Sequence, residues 1–256
     1  DYNQMVKGGG HGDYFPIVLA PATVQEAIDY IALAFDLAEK YRSVVFVAVD
    51  GNLGQMMEPA ELPPMRKLPE KPPEWAVYGA KDRKPNILTS IYIDPPDEEV
   101  VNIRLLKRWM EIQKNEVRFQ EHSLEDAEIG IISFGVAGRV ALSAMHTARE
   151  EGIKVGLFRP ITLAPFPKKA IEELSKRVRR ILVVEMNTGM MLEDVKQAVG
   201  GRVPIEFYGR IGGVTPFPDE ILDEIRRVNQ NNENIPDGIE RVEWLERLEE
   251  RIARGE

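Results

Sequence analysis

The sequence has no cysteine. That excludes a disulfide framework, a thiolate nucleophile and any iron–sulfur cluster ligated by cysteines of this chain. Histidine is nearly as scarce. His11, His122 and His146 are scattered, without the HxxxH or HExxH spacing of a zinc site, so no metal is expected on this chain. No apolar run approaches the length of a membrane span and no secretory signal is visible, so a cytoplasmic protein without a membrane partner is expected. Positive charge is in deficit as well: 33 Lys and Arg against 42 Asp and Glu leave a formal charge of −9. That balance argues against nucleic acid as a partner. Basic pairs such as Lys176-Arg177 and Arg226-Arg227 are flanked by acids and read as solvated faces.

What is present is an ordinary globular composition, 43% hydrophobic and 29% charged over 256 residues. This is enough for one large domain or two modest ones. Ile17-Val18-Leu19-Ala20 suits a buried strand ended by Pro21, and Thr23 with Glu26 forms a capping box for the helix that follows. Val24, Ile28, Ile31, Phe35 and Ala38 give that helix its apolar stripe. Residues 44–49 form an unbroken apolar strand, as in sheets covered on both faces, ended by Asp50-Gly51. From 58 to 96 prolines at 59, 63, 64, 69, 72, 73, 85, 95 and 96 predict a long irregular connection with one short strand near Ile91. A helix is expected over 97–121. Four strand–helix units then follow: strands 129–134, 155–158, 181–184 and 205–208, with helices 137–151, 168–178, 191–199 and 219–228. They imply an open, mostly parallel, doubly wound sheet. A polar hinge at Asn229-Gln230-Asn231-Asn232 precedes a final helix carrying Ile239, Val242, Leu245, Leu248 and Ile252. The expected organisation is thus 1–58, a linker and connecting helix over 59–124, a second α/β domain over 125–228, and a hinge and helix over 229–256.

Three places could carry chemistry. In Lys7-Gly8-Gly9-Gly10-His11-Gly12-Asp13-Tyr14 the glycines allow a ligand or another chain to approach the backbone closely, leaving His11 and Asp13 as polar groups between them. The alternative is a plain loop before the first strand. Asp50-Gly51, with Gln55 nearby, lies at a strand's carboxyl end, where open α/β sheets present ligands, although Asp-Gly is also a common turn. The strand-to-helix turn Ser133-Phe134-Gly135-Val136-Ala137-Gly138-Arg139 lacks a full GxGxxG. An NADP-binding module, with Arg159 on a 2′-phosphate, stands beside the simpler reading of a tight turn.

The combination of motifs resembles a known family. Residues 7–14 with Ile17-Val18-Leu19-Ala20-Pro21 and Val24-Gln25-Glu26, then 34–42, then Asp50-Gly51 with Gly54-Gln55-Met56-Met57-Glu58-Pro59, resemble the α subunits of 2-oxoacid:ferredoxin oxidoreductases. The His-Gly-Asp-Tyr and Gly-Gln-Met-Met versions look most like the branched-chain (2-oxoisovalerate) type, with the 2-oxoglutarate type as nearest rival. Ser133-Phe134-Gly135, residues 155–160 and Val183-Val184-Glu185-Met186-Asn187 are similar to the transketolase C-terminal-type domain of such subunits. The resemblance implies part of a thiamine-diphosphate pyrimidine-type α/β domain followed by that transketolase-like domain. It implies oxidative decarboxylation of a 2-oxo acid to an acyl-coenzyme A, with electrons passed to ferredoxin. Thiamine diphosphate and magnesium would be held mainly by a partner β subunit, coenzyme A would be co-substrate, and iron–sulfur clusters would sit on other subunits. The family's Tyr-Pro-Ile-Thr-Pro-like segment, its activating glutamate and its Arg-Gly-Gly-Pro-like loop do not occur here, so the glutamate is expected upstream of this chain. The Gly10-His11-Gly12-Asp13 loop is expected to meet substrate or a subunit interface, and Asp50, Gly51 and Gln55 to lie near cofactor. A non-catalytic assembly subunit of the same fold is the remaining alternative.

Overall fold

In a computed structural model, residues 1–67, 70–231, 233, 236 and 238–255 are described; Pro69 of the proline series and Asn232 of the expected hinge lie outside them. A short helix α1 (Tyr2–Val6) precedes β1 (Ile17–Leu19), α2 (Val24–Tyr41) and β2 (Val45–Val47). Thr23 caps α2 as expected: its side chain accepts from the Glu26 N–H at 3.1 Å, while the Glu26 carboxylate accepts from Ala22 N–H at 2.8 Å. A 3-10 turn (Leu53–Gln55) leads into an extended segment, and α3 (Pro95–Asn115) closes this half. Three contacts tie the start of the extended segment along α2. Glu58 accepts from Val24 N–H, Glu61 and Gln25 exchange two bonds, and Arg66 pairs with Asp36. Farther on, Trp75 lies under the Arg42 guanidinium, 3.8 Å away.

The second half contains β3 (Phe119–His122), β4 (Ile129–Ser133), α4 (Gly135–Glu150), β5 (Val155–Pro160), β6 (Thr162–Ala164), α5 (Lys168–Ser175), β7 (Arg180–Glu185), α6 (Met190–Val199), β8 (Ile205–Gly209), α7 (Pro218–Gln230) and α8 (Glu240–Ala253). Its sheet runs β3-β5-β4-β7-β8. The last four of these strands are parallel and β3 is an antiparallel edge. α4 packs with α7, α5 with α6, and α8 on β8, so both faces are covered, as the unbroken burial of β4, β5 and β7 requires. The α/β class and the doubly wound parallel sheet expected from the sequence are both found.

Three expectations are corrected. The helix expected to reach 121 stops at Asn115. There the Glu116 carboxylate is held by Tyr41 Oη at 2.5 Å and Lys40 Nζ at 2.8 Å, which turns the chain away. The next residues become β3, because Phe119 to His122 find the open edge of β5. No strand forms near Ile91, since no neighbouring strand is there to pair with it. The polar stretch at 229 does not break α7, which runs on through Gln230.

The two halves share strands. β6, three residues between Pro160 and Pro165, leaves the second half and pairs antiparallel with β1, so the first sheet runs β2-β1-β6. One core built on β4, β5 and β7 takes in Val18 of β1 and Ala20 just beyond it, and a smaller one joins Ile17 and Leu19 to Leu37, Tyr41 and Ile112.

Candidate functional site

In the larger sheet the parallel strands run β5-β4-β7-β8, so the crossover direction reverses between β4 and β7. Such a switch point, at the carboxyl ends of the strands, is where doubly wound sheets bind ligands. Here the Ser133 hydroxyl at the end of β4 donates to the Val184 carbonyl of β7 at 2.8 Å and fixes the two ends together. α4 then leaves β4 at close range. A Cβ on Gly138 would lie 3.1 Å from the Ser133 carbonyl oxygen, so a larger residue would push helix from strand.

The end of β2 faces this point, and a cavity of about 320 Å3 lies between them. Val47, Val49 and Asp50 form one wall, Phe134, Gly135 and Ala137 a second, and Met186, Asn187 and Met190 a third, with Leu163 of β6 and Tyr2 and Met5 of α1 closing it. Asp1 also reaches it, and no Lys, Arg or His lines it among the described residues. α1 is held there by its polar groups: the Tyr2 hydroxyl donates to buried Asp194 of α6 at 2.8 Å, and Lys7 pairs with the same carboxylate. Burial and Asp194 together push the Tyr2 phenol well above its usual range.

Asp50 belongs to this site as the sequence suggested, but as an anchor. One carboxylate oxygen accepts from Asn52 and Leu53 N–H at 3.1 and 2.9 Å, and the other from Val136 N–H at 3.3 Å. A carboxylate at the first turn of α4 suits the positive end of that helix. It also occupies the place a phosphate would need. Arg159, the other half of the NADP reading, is buried and bonded to both Glu26 oxygens at 2.9 and 2.5 Å and to Gln120. The geometry therefore closes that reading. Gly51 and Gln55 are exposed on the turn beyond Asp50.

Gly10, His11, Gly12 and Asp13 do not join this cavity. They form an exposed loop in which Gly12 takes a φ of +94°, a conformation that suits glycine. Asp13 and Phe15 border a second groove, along Glu98, Glu99, Ile103 and Leu106 of α3.

Sequence reasoning passed over Glu185 and Asn187 as site residues. Glu185, fully buried at the end of β7, accepts from Met191 and Leu192 N–H, both at 2.9 Å, and from the Asn187 amide at 3.0 Å. Burial pushes its carboxyl up to about 7 against those donors. Asn187 also accepts from Gly189 and Met190 N–H, which sets the first turn of α6. The signal was available: an acid directly after four apolar strand residues, two before an Asn at a helix start.

Comparison with known proteins gives two adjoining family matches. Residues 1–122 match the model described as "Pyruvate flavodoxin/ferredoxin oxidoreductase, thiamine diP-bdg", and residues 127–221 match "Pyruvate:ferredoxin oxidoreductase core domain II". The ketoisovalerate oxidoreductase subunit VorB of Methanothermobacter marburgensis is 46% identical over 229 residues, 89% of this chain. The chain belongs to the 2-oxoacid:ferredoxin oxidoreductase family. It spans 64% of the length of that relative. A more distant member of the family, the 2-oxoglutarate synthase subunit KorA of the same organism, is 34% identical over 245 residues, 85% of this chain and 65% of the relative. The same fold occurs in the solved structure of the 2-oxoglutarate:ferredoxin oxidoreductase from Magnetococcus marinus. The TM-score is 0.70 at 21% identity, covering 89% of this chain and 44% of that one.

Proposed function

We propose that this chain is a portion of the α subunit of a branched-chain 2-oxoacid:ferredoxin oxidoreductase. Such an enzyme converts a 2-oxo acid of the 2-oxoisovalerate class to its acyl-coenzyme A, with electrons leaving for ferredoxin. The observation that carries this reading is the cavity at the switch point, which has no Lys, Arg or His side chain among its described lining residues. A 2-oxoglutarate pocket needs a cation for the second carboxylate, whereas a branched aliphatic tail needs only walls such as Val47, Val49, Met186 and Met190. The gap between 46% identity to the ketoisovalerate relative and 34% to the 2-oxoglutarate relative points the same way.

Thiamine diphosphate requires a carboxylate free to activate its aminopyrimidine ring. Around this cavity Asp50 and Glu185 are committed to backbone N–H groups, and Asp1, the other acid at its wall, is exposed. The residues here do not fit that role. The chain's own contribution is shape: walls, a fixed pair of strand ends, and exclusion of water from the side chain of the substrate. Magnesium, the diphosphate site and the iron–sulfur clusters are assigned to partner subunits, a division that suits a chain without cysteine. Residues 1–58 are taken as the later part of a pyrimidine-side domain and β3 through α7 as the transketolase-like unit, so that β3 moves out of the connection expected over 59–124 and the end of α7 out of the hinge expected at 229, with α8 as terminal helix. His11 and Asp13, exposed beside the α3 groove, are assigned to a subunit contact.

The test is viologen-dye reduction by the assembled complex, with coenzyme A present. A kcat/KM for 2-oxoisovalerate about 100-fold above that for 2-oxoglutarate is expected, and equal or reversed values would refute the reading. In the same assay His11→Ala should leave kcat/KM unchanged while lowering recovery of the complex. A lowered kcat/KM in intact complex would move His11 to the substrate.

A further inference from the structure

At the other end of the smaller sheet, where β1 and β2 begin, positive charge is gathered without a counterpart. Arg42 follows α2 in the left-handed region, at a φ of +49° that a residue with a Cβ seldom takes. Its carbonyl accepts from the Arg108 guanidinium of α3 at 2.7 Å, and its own guanidinium lies on the Trp75 ring. Both arginines border a cavity of about 150 Å3. Pro16, Ser43 and Val44 line it at the strand starts, and Phe15 stacked on Trp109, centroids 5.1 Å apart, gives it an apolar side. The Ser43 hydroxyl is already given to the Phe15 carbonyl at 3.2 Å. The charged lining is the two guanidinium groups, and no acid lines the cavity among the described residues. Arg104, one helical turn before Arg108 on α3, adds a third positive charge.

Such an arrangement is unfavourable as it stands. Like charges four residues apart on a helix repel, and a half-buried charge is normally paired. Burial, then Arg104 and Arg42, draws the Arg108 guanidinium below its ordinary range. Among the described residues no carboxylate pairs with Arg42, Arg104 or Arg108, although the chain holds 42 acids. A bound anion removes the conflict. We infer that Arg42, Arg104 and Arg108 form a phosphate site, which takes inorganic phosphate or the phosphate group of a small ester. Three positive charges call for more than the single charge of a carboxylate, and guanidinium forks from two elements match the paired oxygens of a phosphate. The cavity, about 150 Å3, is half the ~300 Å3 at which pockets for drug-sized ligands begin, so the rest of an ester stays outside. The site lies at the strand starts, away from the switch-point cavity at the strand ends, and is independent of which 2-oxo acid the enzyme takes.

The experiment is calorimetric titration of this chain with inorganic phosphate and, separately, with glycerol 3-phosphate, at constant ionic strength in chloride. Saturable binding and a Tm that climbs with phosphate are expected. Tighter binding of the ester would identify an ester as the ligand, and equal or weaker binding would identify free phosphate. Arg104→Gln removes a charge from an exposed side chain and should weaken phosphate about 10-fold. Arg108→Gln should weaken it about 100-fold. That variant also loses the bond to the Arg42 carbonyl, so the Arg104 variant decides the matter if it fails to fold. Lys114→Gln takes the same charge from the far end of α3 and should bind as the parent does. A response to phosphate no greater than to chloride, or equal affinity in the parent and the Arg104 variant, would overturn the proposal. So would binding by the chain that vanishes in the assembled complex, which would hand the site to a carboxylate from another segment. None of these readouts involves substrate turnover, so this site and the proposed reaction fail separately.

Discussion

Glu185 carries a proton that an ordinary carboxyl would have lost. In the unfolded chain it titrates near 4.5, and in the fold near 7, because burial outweighs the three donors that favour its charged form. A raised value means that the folded state binds the proton more tightly. The group's contribution to stability is therefore complete below about pH 4.5 and lost as the pH rises through 7. The size of that contribution is on the order of 3 kcal/mol. Glu185→Gln should flatten the fall in stability between pH 5 and 8, measured by urea unfolding at both pH values. It should also lower stability at pH 5 by about 1–2 kcal/mol, because the amide's N–H2 end meets a backbone N–H. An unchanged pH slope in the variant would show that another group is responsible.

At the scale of elements, the joint between α2 and the larger sheet rests on Glu26 and Arg159. Their side chains are 21% and 5% exposed, and Gln120 of β3 completes the cluster. Glu26→Gln leaves a buried guanidinium without its counter-charge and should cost ~3 kcal/mol. Adding Arg159→Met should recover much of that loss, and a double mutant no more stable than the single one would show that the pair does not act as a unit. The same elements mark how far the sequence was legible. Alternating apolar strands and striped helices in 129–228 announce themselves, since both faces of the sheet are covered and every strand is a run of buried residues. β3 is invisible by that criterion: Gln120 and Glu121 are exposed, and its identity comes from the partner edge of β5 rather than from its own pattern. β6 is too short to carry a period. At the site, the turn at Asp50 was readable as a strand end, but its bond to Val136, 86 residues away, depends on how the halves dock. Met186 and Met190 line a space that only the fold creates.

The whole molecule is held across its halves at points far apart in sequence. β1 pairs with β6, Asp50 with α4, Glu58 with Arg139, and Glu26 with Arg159. The segment over 70–94 carries no such tie between the halves among the described residues and presents Lys81, Ile87, Leu88, Ile91 and Ile93 at the surface. Limited trypsin digestion should cut there first, and the two fragments should coelute in gel filtration and separate only in urea. Fragments that part under native conditions would mean that the covalent connection, not the pairing, holds the halves together.

The pairing of Val18 with Ala164 also sets a clock. During synthesis β1 leaves the ribosome ahead of its neighbour on that side, which lies roughly 150 residues further along, a delay of about 7–30 s at a ribosome's pace. For that interval the nascent chain carries an apolar strand with β2 available to one edge and nothing yet for the other. A strand in that position is what a cell's holding chaperones recognise, and the time spent waiting, more than the stability finally reached, decides how much chain survives to assemble.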